Sequence, residues 1–196
     1  MKPSAASYQT ILVALVDAIA EQVRIVVASW RAGDILLGEL VDLVVGFIVK
    51  AESQAAIAAV VAVESQKPVQ TITAVELPDV EVHEDIVFKA VGTVLEDLPD
   101  DPTEEDVDAF DKRLQRLAKG RVTETAGKYV DEHLPEVPEI VGYTRGLDED
   151  PCELCVWLKK EHLRPGGFIY PAGQPMHRHP GCCCVPVPVY EKEKEA

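Results

Sequence analysis

The chain has 196 residues, and its 34 acidic and 19 basic side chains give a formal net charge of −15 at pH 7. A surface this negative repels the phosphates of nucleic acids and anionic lipids, so nucleic acid is not expected as the primary partner. No uninterrupted apolar run approaches the roughly 18 residues that a membrane-spanning helix needs, so we predict a soluble protein with no membrane partner. The length suits one domain, or a helical part with a small appended module.

The first two predicted elements are long amphipathic helices. Apolar residues recur at every third or fourth position over residues 7–30. Gly33 follows this series and is placed to end the helix, and Asp34 is placed to cap the next helix. Residues 34–66 carry a second apolar series and an alanine-rich segment that favours helix. The two segments predict an αα-hairpin. Its broad apolar faces suit either an ordinary core or the binding of partner subunits, and the sequence leaves both open.

The next segment, residues 68–101, changes character and is predicted to be an acidic connector. Alternation in VQTITAV, residues 69–75, suggests a strand, and residues 79–88 suit either a strand or a short helix. Prolines and the acidic DLPDD sequence are typical of a link between two parts of a protein. His83 stands among acidic residues and is interpreted as a surface residue.

A third clear helix is predicted to begin at Thr103, because TEED resembles a capping box that satisfies free backbone amides. Gly120 is placed to end this helix, and a further helical segment is predicted for residues 121–133. Several basic residues cluster here, and we interpret them as a solvated helix face because acidic residues flank them.

The overall prediction is an α+β protein that is mostly α. Its divisions are a helical N-terminal region (1–67), the acidic connector (68–101), a C-terminal module (102–190) and a charged tail (191–196). The Cys/His-rich part of the module spans residues 141–190. Trp157, Phe168 and Tyr170 are predicted to form the core of this part.

All five cysteines lie in the Cys/His-rich part, and their pattern is typical of metal ligands. An odd number of cysteines and an N-terminus without a secretory pattern favour a reducing compartment, where such clusters are more often metal sites than disulfide frameworks. The candidate zinc ligands are Cys152, Cys155, His179 and one of Cys182 or Cys184, with His177 as a spare. In an extended strand Cys182 and Cys184 share a face, so a site of four thiolates is an alternative. Buried, unreactive thiols are the other alternative.

The order of these elements resembles the C-terminal domain of the phage head-morphogenesis family, also called MuF-like minor capsid proteins. The similarity covers roughly residues 105–190 and consists of a helix, the VGYTR strand, CELC, a Gly-Gly turn, HPGCCC and VPVPV. One departure is Cys183, which stands where the family usually has an arginine.

The resemblance implies a non-enzymatic minor capsid protein of a tailed bacteriophage. Such a protein acts in head assembly through contacts with the portal or the major capsid protein, and it is found in the host cytoplasm during assembly and then in the virion head. The N-terminal helices are a candidate surface for homo-oligomer formation.

Other functions receive weaker support from the sequence. A zinc-ribbon-like adaptor that binds another protein remains open. PCELC matches half of a zinc-deaminase signature, but the HxE half is missing because His83 is followed by Glu84 and Asp85. A capsid maturation protease would need a glycine-framed serine or a recognisable serine/histidine pair, and the sequence offers neither. A thioredoxin-like role would need the CxxC pair in a βαβ setting, which the predicted order of elements does not provide.

Overall fold

A computed structural model describes residues 5–65, 80, 83–147, 151–179 and 181–191. Within these residues the chain forms five α-helices and one three-stranded antiparallel sheet, so the predicted class, mostly α with a small α+β part, is confirmed. The elements in chain order are α1 (Ala5–Arg31), α2 (Leu37–Glu64), α3 (Glu84–Leu95), α4 (Glu104–His133), β1 (Ile140–Gly146), α5 (Glu153–Lys159), β2 (Tyr170–Pro171) and β3 (Val185–Tyr190).

The first two helices pack against each other and are joined by a short turn. Gly33 has a φ of 78°, a left-handed conformation that suits glycine and ends α1. The prediction that Asp34 caps α2 is wrong, because the residue before the helix is Leu36. The Glu39 carboxylate reaches back and accepts the Leu36 backbone N–H at 2.7 Å, which satisfies an amide that the helix leaves free.

Helix α4 covers the apolar faces that α1 and α2 present. Its buried side chains recur every four residues at Leu114, Ala118, Val122 and Ala126, all fully buried. Thr103 begins α4 as predicted: its hydroxyl accepts the Asp106 N–H, and the Asp106 carboxylate accepts the Thr103 N–H at 2.9 Å. The hairpin therefore contributes to an ordinary core.

Gly120 does not end α4, so that prediction is wrong. The helix continues through Gly120, which is buried, to His133. The next residue, Arg121, forms an ion pair with Glu52 of α2, with 2.6 Å between Nε and Oε1. Packing and pairing against α2 outweigh the cost of about 1 kcal/mol that one glycine imposes on a helix.

The predicted connector contains a helix. Of the alternatives for residues 79–88, the structure has the short helix: α3 begins at Glu84 and buries Val87 and Val91 fully. His83 precedes α3 and is exposed, as interpreted from the sequence. The strand predicted for residues 69–75 lies outside the described residues.

Helix α2 is long and apolar enough to cross a membrane by length and composition, and among the described helices no other passes this test. Half of its most apolar stretch is buried inside the protein, where it packs on α1, α3 and α4. The core helix of a soluble protein has the same properties, so the composition of α2 has an explanation within the fold.

The sheet has the strand order β2-β1-β3. Gly142 allows β2 to approach β1, because a Cβ atom there would lie 2.3 Å from the Tyr170 carbonyl oxygen. At the other end of β1, Arg145 pairs in register with Pro186 and Gly146 with Val185. This register places the end of β1 beside the residues that lead into β3, which are the three consecutive cysteines.

The predicted core of the Cys/His-rich part is wrong for Trp157 and Phe168, whereas Tyr170 packs against the core. Trp157 is 62% exposed and Phe168 is 38% exposed, and Tyr170 is half-buried. Lys160 lies over all three rings, with its ammonium nitrogen 4.9 Å from the Phe168 centroid. Trp157 and Phe168 therefore lie on the surface, because strands and cysteines occupy the interior. That interior contains Ile140, Tyr143, Arg145, Cys155, Met176, Cys182, Cys183, Cys184, Val185 and Val189.

Candidate metal centre

The CxxC pair lies at the beginning of α5. Cys152 is the residue before the helix, and its sulfur accepts the backbone N–H of Cys155 at 3.4 Å. This local hydrogen bond turns both sulfurs toward the same side of the helix terminus. Cys155 is buried, at 2% exposure, whereas Cys152 is exposed.

The second half of the cluster meets this pair from a segment far along the chain. The Nε2 atom of His179 lies 3.1 Å from the Cys152 sulfur and 3.6 Å from the Cys155 sulfur. The Cys182 sulfur lies 3.6 Å from that of Cys155. The structure thus places every candidate ligand except the spare, His177, in a group of possible donors. Two groups of three form, sharing Cys155: Cys152, Cys155 and His179, and Cys155, Cys182 and Cys184.

These distances suit a shared metal ion. A tetrahedral ion with metal–sulfur bonds of about 2.3 Å holds its sulfurs roughly 3.7 Å apart, close to the Cys155–Cys182 separation. No disulfide bond joins any of the five cysteines, all of which the structure describes. Each group of three donors is therefore spaced to hold an ion, and one ion bound by Cys152, Cys155, His179 and Cys182 requires the two groups to close around the Cys155 that they share.

Two residues of the motif lie outside both groups. His177 is exposed, and its carbonyl oxygen accepts a hydrogen bond from Arg145. Cys183 is buried, and its carbonyl oxygen accepts the side-chain amide of Gln9 in α1 at 3.1 Å. The spare role predicted for His177 finds no support in this arrangement. Cys183 fills space between the module and α1, which gives the fifth cysteine a packing role.

An ion pair with α4 positions the histidine segment. The Arg178 guanidinium bonds both carboxylate oxygens of Asp131, at 2.5 and 3.1 Å. Gly127, one turn earlier on α4, leaves room for this side chain, because a Cβ atom there would lie 2.6 Å from Arg178 Nε. The adjacent residue, His179, is thereby directed toward the CxxC pair. The sequence analysis missed this pair, since nothing in the sequence links residues so far apart.

A second contact with α4 fixes the turn that follows His179. Gly181 has a φ of 79°, and its N–H donates to the Thr123 hydroxyl at 3.3 Å. Thr123 is buried in α4, and its hydroxyl also bonds the carbonyl oxygen of Gly120 at 3.1 Å. The turn between the histidine and the cysteine triplet is therefore anchored to a rigid helix.

Arg145 is the other residue that sequence reasoning did not assign to the site. It lies near the end of β1 at 3% exposure. One guanidinium nitrogen, Nη1, donates to the Cys155 sulfur at 3.4 Å, and the other, Nη2, donates to the carbonyl oxygen of His177. A lone arginine in the otherwise uncharged strand IVGYTRG was the available signal.

The environment of the thiols spreads their pKa values apart. Hydrogen bonds from the thiol and then the backbone of Cys184 lower the pKa of Cys182, although burial acts against them. Burial raises the pKa of Cys155, and the neighbouring Cys182 adds to this effect. The backbone N–H of Cys155 lowers the pKa of Cys152. The pKa values of Cys152 and Cys182 are thus lowered, and the pKa of Cys155, which lies between them, is raised.

A groove of about 660 Å³ opens beside His179 along α4. Basic side chains line it, but Arg121 pairs with Glu52, Arg113 with Asp97, and Arg178 with Asp131. These pairs neutralise much of the positive charge. Arg113 is exposed, as the interpretation of the basic cluster as a solvated helix face requires, whereas Arg121 faces α2 and pairs with the buried Glu52.

Comparison of the chain with protein-family models, curated proteins and solved structures finds no match. The site is therefore described from its own geometry and chemistry. The similarity to head-morphogenesis proteins remains a prediction from the order of sequence elements.

Proposed function

We propose that this chain is a non-enzymatic structural protein whose C-terminal module is held together by one zinc ion. The observation that carries the proposal is the convergence of the CxxC pair with His179 and Cys182, residues 24 to 27 positions away. A module with so few buried large apolar side chains gains the stability that it lacks when one ion joins its two halves.

Zinc fits this set of donors better than other common divalent ions. Thiolate and imidazole are the donors of structural zinc sites, whereas magnesium and calcium prefer oxygen. Cys152, Cys155, Cys182 and His179 are the proposed ligands. Cys184 lies with Cys155 and Cys182 in the second group of donors. We choose Cys182 as the fourth ligand because its sulfur lies 3.6 Å from that of Cys155.

The same set of donors favours a structural role over a catalytic one. Four protein ligands complete a tetrahedral zinc, whereas catalytic zinc sites keep one position for water or substrate. In the described residues, the donor groups around Cys155 consist of cysteine and histidine without a carboxylate that would act as a general base. This composition supports neither a deaminase nor a hydrolase.

The resemblance suggests where such a protein acts. A helix, the VGYTR strand, the CxxC pair, the glycine turn and the cysteine triplet follow one another as α4, β1, α5, a loop and the start of β3. We propose a minor capsid protein of a tailed phage, present in the host cytoplasm during assembly and later in the virion head. Its partners are the portal or the major capsid protein, and its acidic surface suits contacts with protein before DNA enters.

Zinc binding is tested by native mass spectrometry and elemental analysis of protein purified under reducing conditions without chelator. We expect one zinc per chain for the wild type and for Cys184→Ser, and loss of zinc for Cys182→Ser. Zinc-free wild type would refute the metal centre, and the reverse behaviour of the two variants would refute the ligand assignment.

The proposed place in the phage head is tested separately, by mass spectrometry of purified virions from the phage that encodes the chain. We expect to find the protein in mature heads. Zinc-bound protein that is absent from both virions and assembly intermediates would favour the adaptor function instead.

A further inference from the structure

Arg145 is a buried cation without a carboxylate partner among the described residues. Its Nη1 and Nη2 atoms bond a sulfur and a carbonyl oxygen, and its buried Nε has no hydrogen-bond partner there. Guanidinium remains protonated in proteins, and burying it without a counter-charge is strongly unfavourable. Some other group must supply the negative charge.

Two other arginines, Arg121 of α4 and Arg178 in the segment that packs against α4, show how this protein usually meets that requirement. Arg121 pairs with Glu52 at 2.6 Å, and Arg178 pairs with Asp131 at 2.5 Å. Each has a carboxylate of its own. Arg145 is less exposed than Arg121 or Arg178. Its guanidinium contacts the thiol of Cys155, where each of the other two arginines contacts a carboxylate.

We propose that Arg145 is the fixed counter-charge of the metal centre and that it selects a ligand set carrying one net negative charge. This inference rests on the zinc centre proposed above. The cluster of thiols, with its ion, takes the part that a carboxylate plays for Arg121 and Arg178. Arg145 is a positioning residue, since it acts through Cys155 and does not bind the ion itself.

Charge balance identifies the ligand set. A divalent ion with three thiolates and one neutral imidazole has a net charge of −1, which one guanidinium neutralises. Four thiolates would leave −2, and two thiolates with two imidazoles would leave no charge for Arg145 to balance. The match supports Cys152, Cys155 and Cys182 with His179, and it disfavours the site of four thiolates that includes Cys184.

The contacts of Arg145 also join the two halves of the centre. Nη1 bonds the sulfur of Cys155 from the CxxC half, and Nη2 bonds the carbonyl oxygen of His177, two residues before His179. One rigid guanidinium therefore orients a ligand and holds the segment that carries another. Removing such outer contacts typically weakens metal binding about 10- to 100-fold.

The test compares wild type with Arg145→Met and Arg145→Lys. Arg121→Met is the matched control, since Arg121 is an arginine that pairs with a carboxylate, that of Glu52. Zinc affinity is measured by chelator competition, and the midpoint pH of metal release is followed with cobalt in place of zinc. We expect Arg145→Met to bind zinc at least about tenfold more weakly and to release cobalt at higher pH, because protons compete better for thiolates without a neighbouring cation. Arg145→Lys should recover part of both effects, and Arg121→Met should change neither.

X-ray absorption of the zinc-loaded wild type tests the ligand set even if Arg145→Met does not fold. We expect three sulfur ligands and one nitrogen ligand. Four sulfurs, or two sulfurs and two nitrogens, would overturn the charge argument, as would a well-folded Arg145→Met that keeps wild-type affinity and release pH. Wild type that binds no metal would instead refute the zinc centre on which the inference rests.

Discussion

The helical part and the Cys/His-rich part of this chain are stabilised in different ways. In α1 to α4 the interior consists of aliphatic side chains, with Leu40, Ile48 and Leu114 fully buried. In the C-terminal part the interior includes sulfur atoms and a guanidinium, while Trp157 and Leu163 lie mostly exposed. One region follows apolar patterning. The other depends on polar donors that must meet at one point, so its stability should depend on what those donors bind.

The largest expected effect comes from removing the CxxC sulfurs. The double variant Cys152→Ser, Cys155→Ser should lose zinc and melt at a much lower temperature in its C-terminal part, because the ion no longer joins the two halves. Helix content should stay near that of the wild type. Circular dichroism and differential scanning calorimetry measure both quantities. Cys183→Ala is the control and should keep its zinc. Unchanged melting of the double variant would remove the distinction between the two regions.

A core substitution in α4 should have the opposite signature. Leu114→Ala leaves a cavity among aliphatic side chains and should lower the free energy of unfolding by about 2–5 kcal/mol. Zinc content should remain that of the wild type, since no ligand touches this position. Chemical denaturation with elemental analysis gives both values, with the exposed Leu43→Ala as control. Loss of zinc in Leu114→Ala would mean that the centre depends on the helical core more than proposed.

The ion pair of Arg121 with the buried Glu52 is a charged feature of the helical interior and gives a pH dependence. Burial raises the pKa of Glu52 above its ordinary value of 4.5, even though Arg121 opposes the shift. The contribution of Glu52 to stability is therefore full below about pH 4.5 and falls as the pH rises through its raised pKa. The free energy of unfolding of the wild type, relative to that of Glu52→Gln, should therefore decline as the pH increases through the raised pKa of Glu52. Denaturation at a series of pH values measures the difference, and a difference that grows with pH would contradict the account.

The smallest expected effect concerns the contact between the two regions. Gly127→Ala should destabilise the protein by about 1 kcal/mol, because the new methyl group displaces Arg178 from Asp131 and outweighs the gain in helix propensity. Gly46→Ala in α2 meets no atom within 4 Å and should stabilise by a similar amount. Thermal melts of both variants and the wild type measure these changes in stability. Stabilisation by both would show that Arg178 has room to move.

The sequence predicted the features that depend on local pattern. Periodicity predicted the first two helices, the capping box predicted the start of α4, and the spacing of CELC and HPGCCC predicted the converging ligands. It failed where distant residues decide the outcome. Gly120 stays helical because α2 packs there, Trp157 is exposed because cysteines and strands fill the interior, and the roles of Arg145 and Asp131 follow from contacts with residues far along the chain.

The most direct test of the difference between the two regions is hydrogen exchange of the full chain, followed by mass spectrometry, with and without a zinc chelator. The account predicts that chelation removes the protection of β1, α5 and β3 while peptides from α1 and α2 exchange as before. Equal exchange under both conditions, or a loss of protection spread evenly over the helices and the sheet, would contradict the claim that a metal ion holds the C-terminal part.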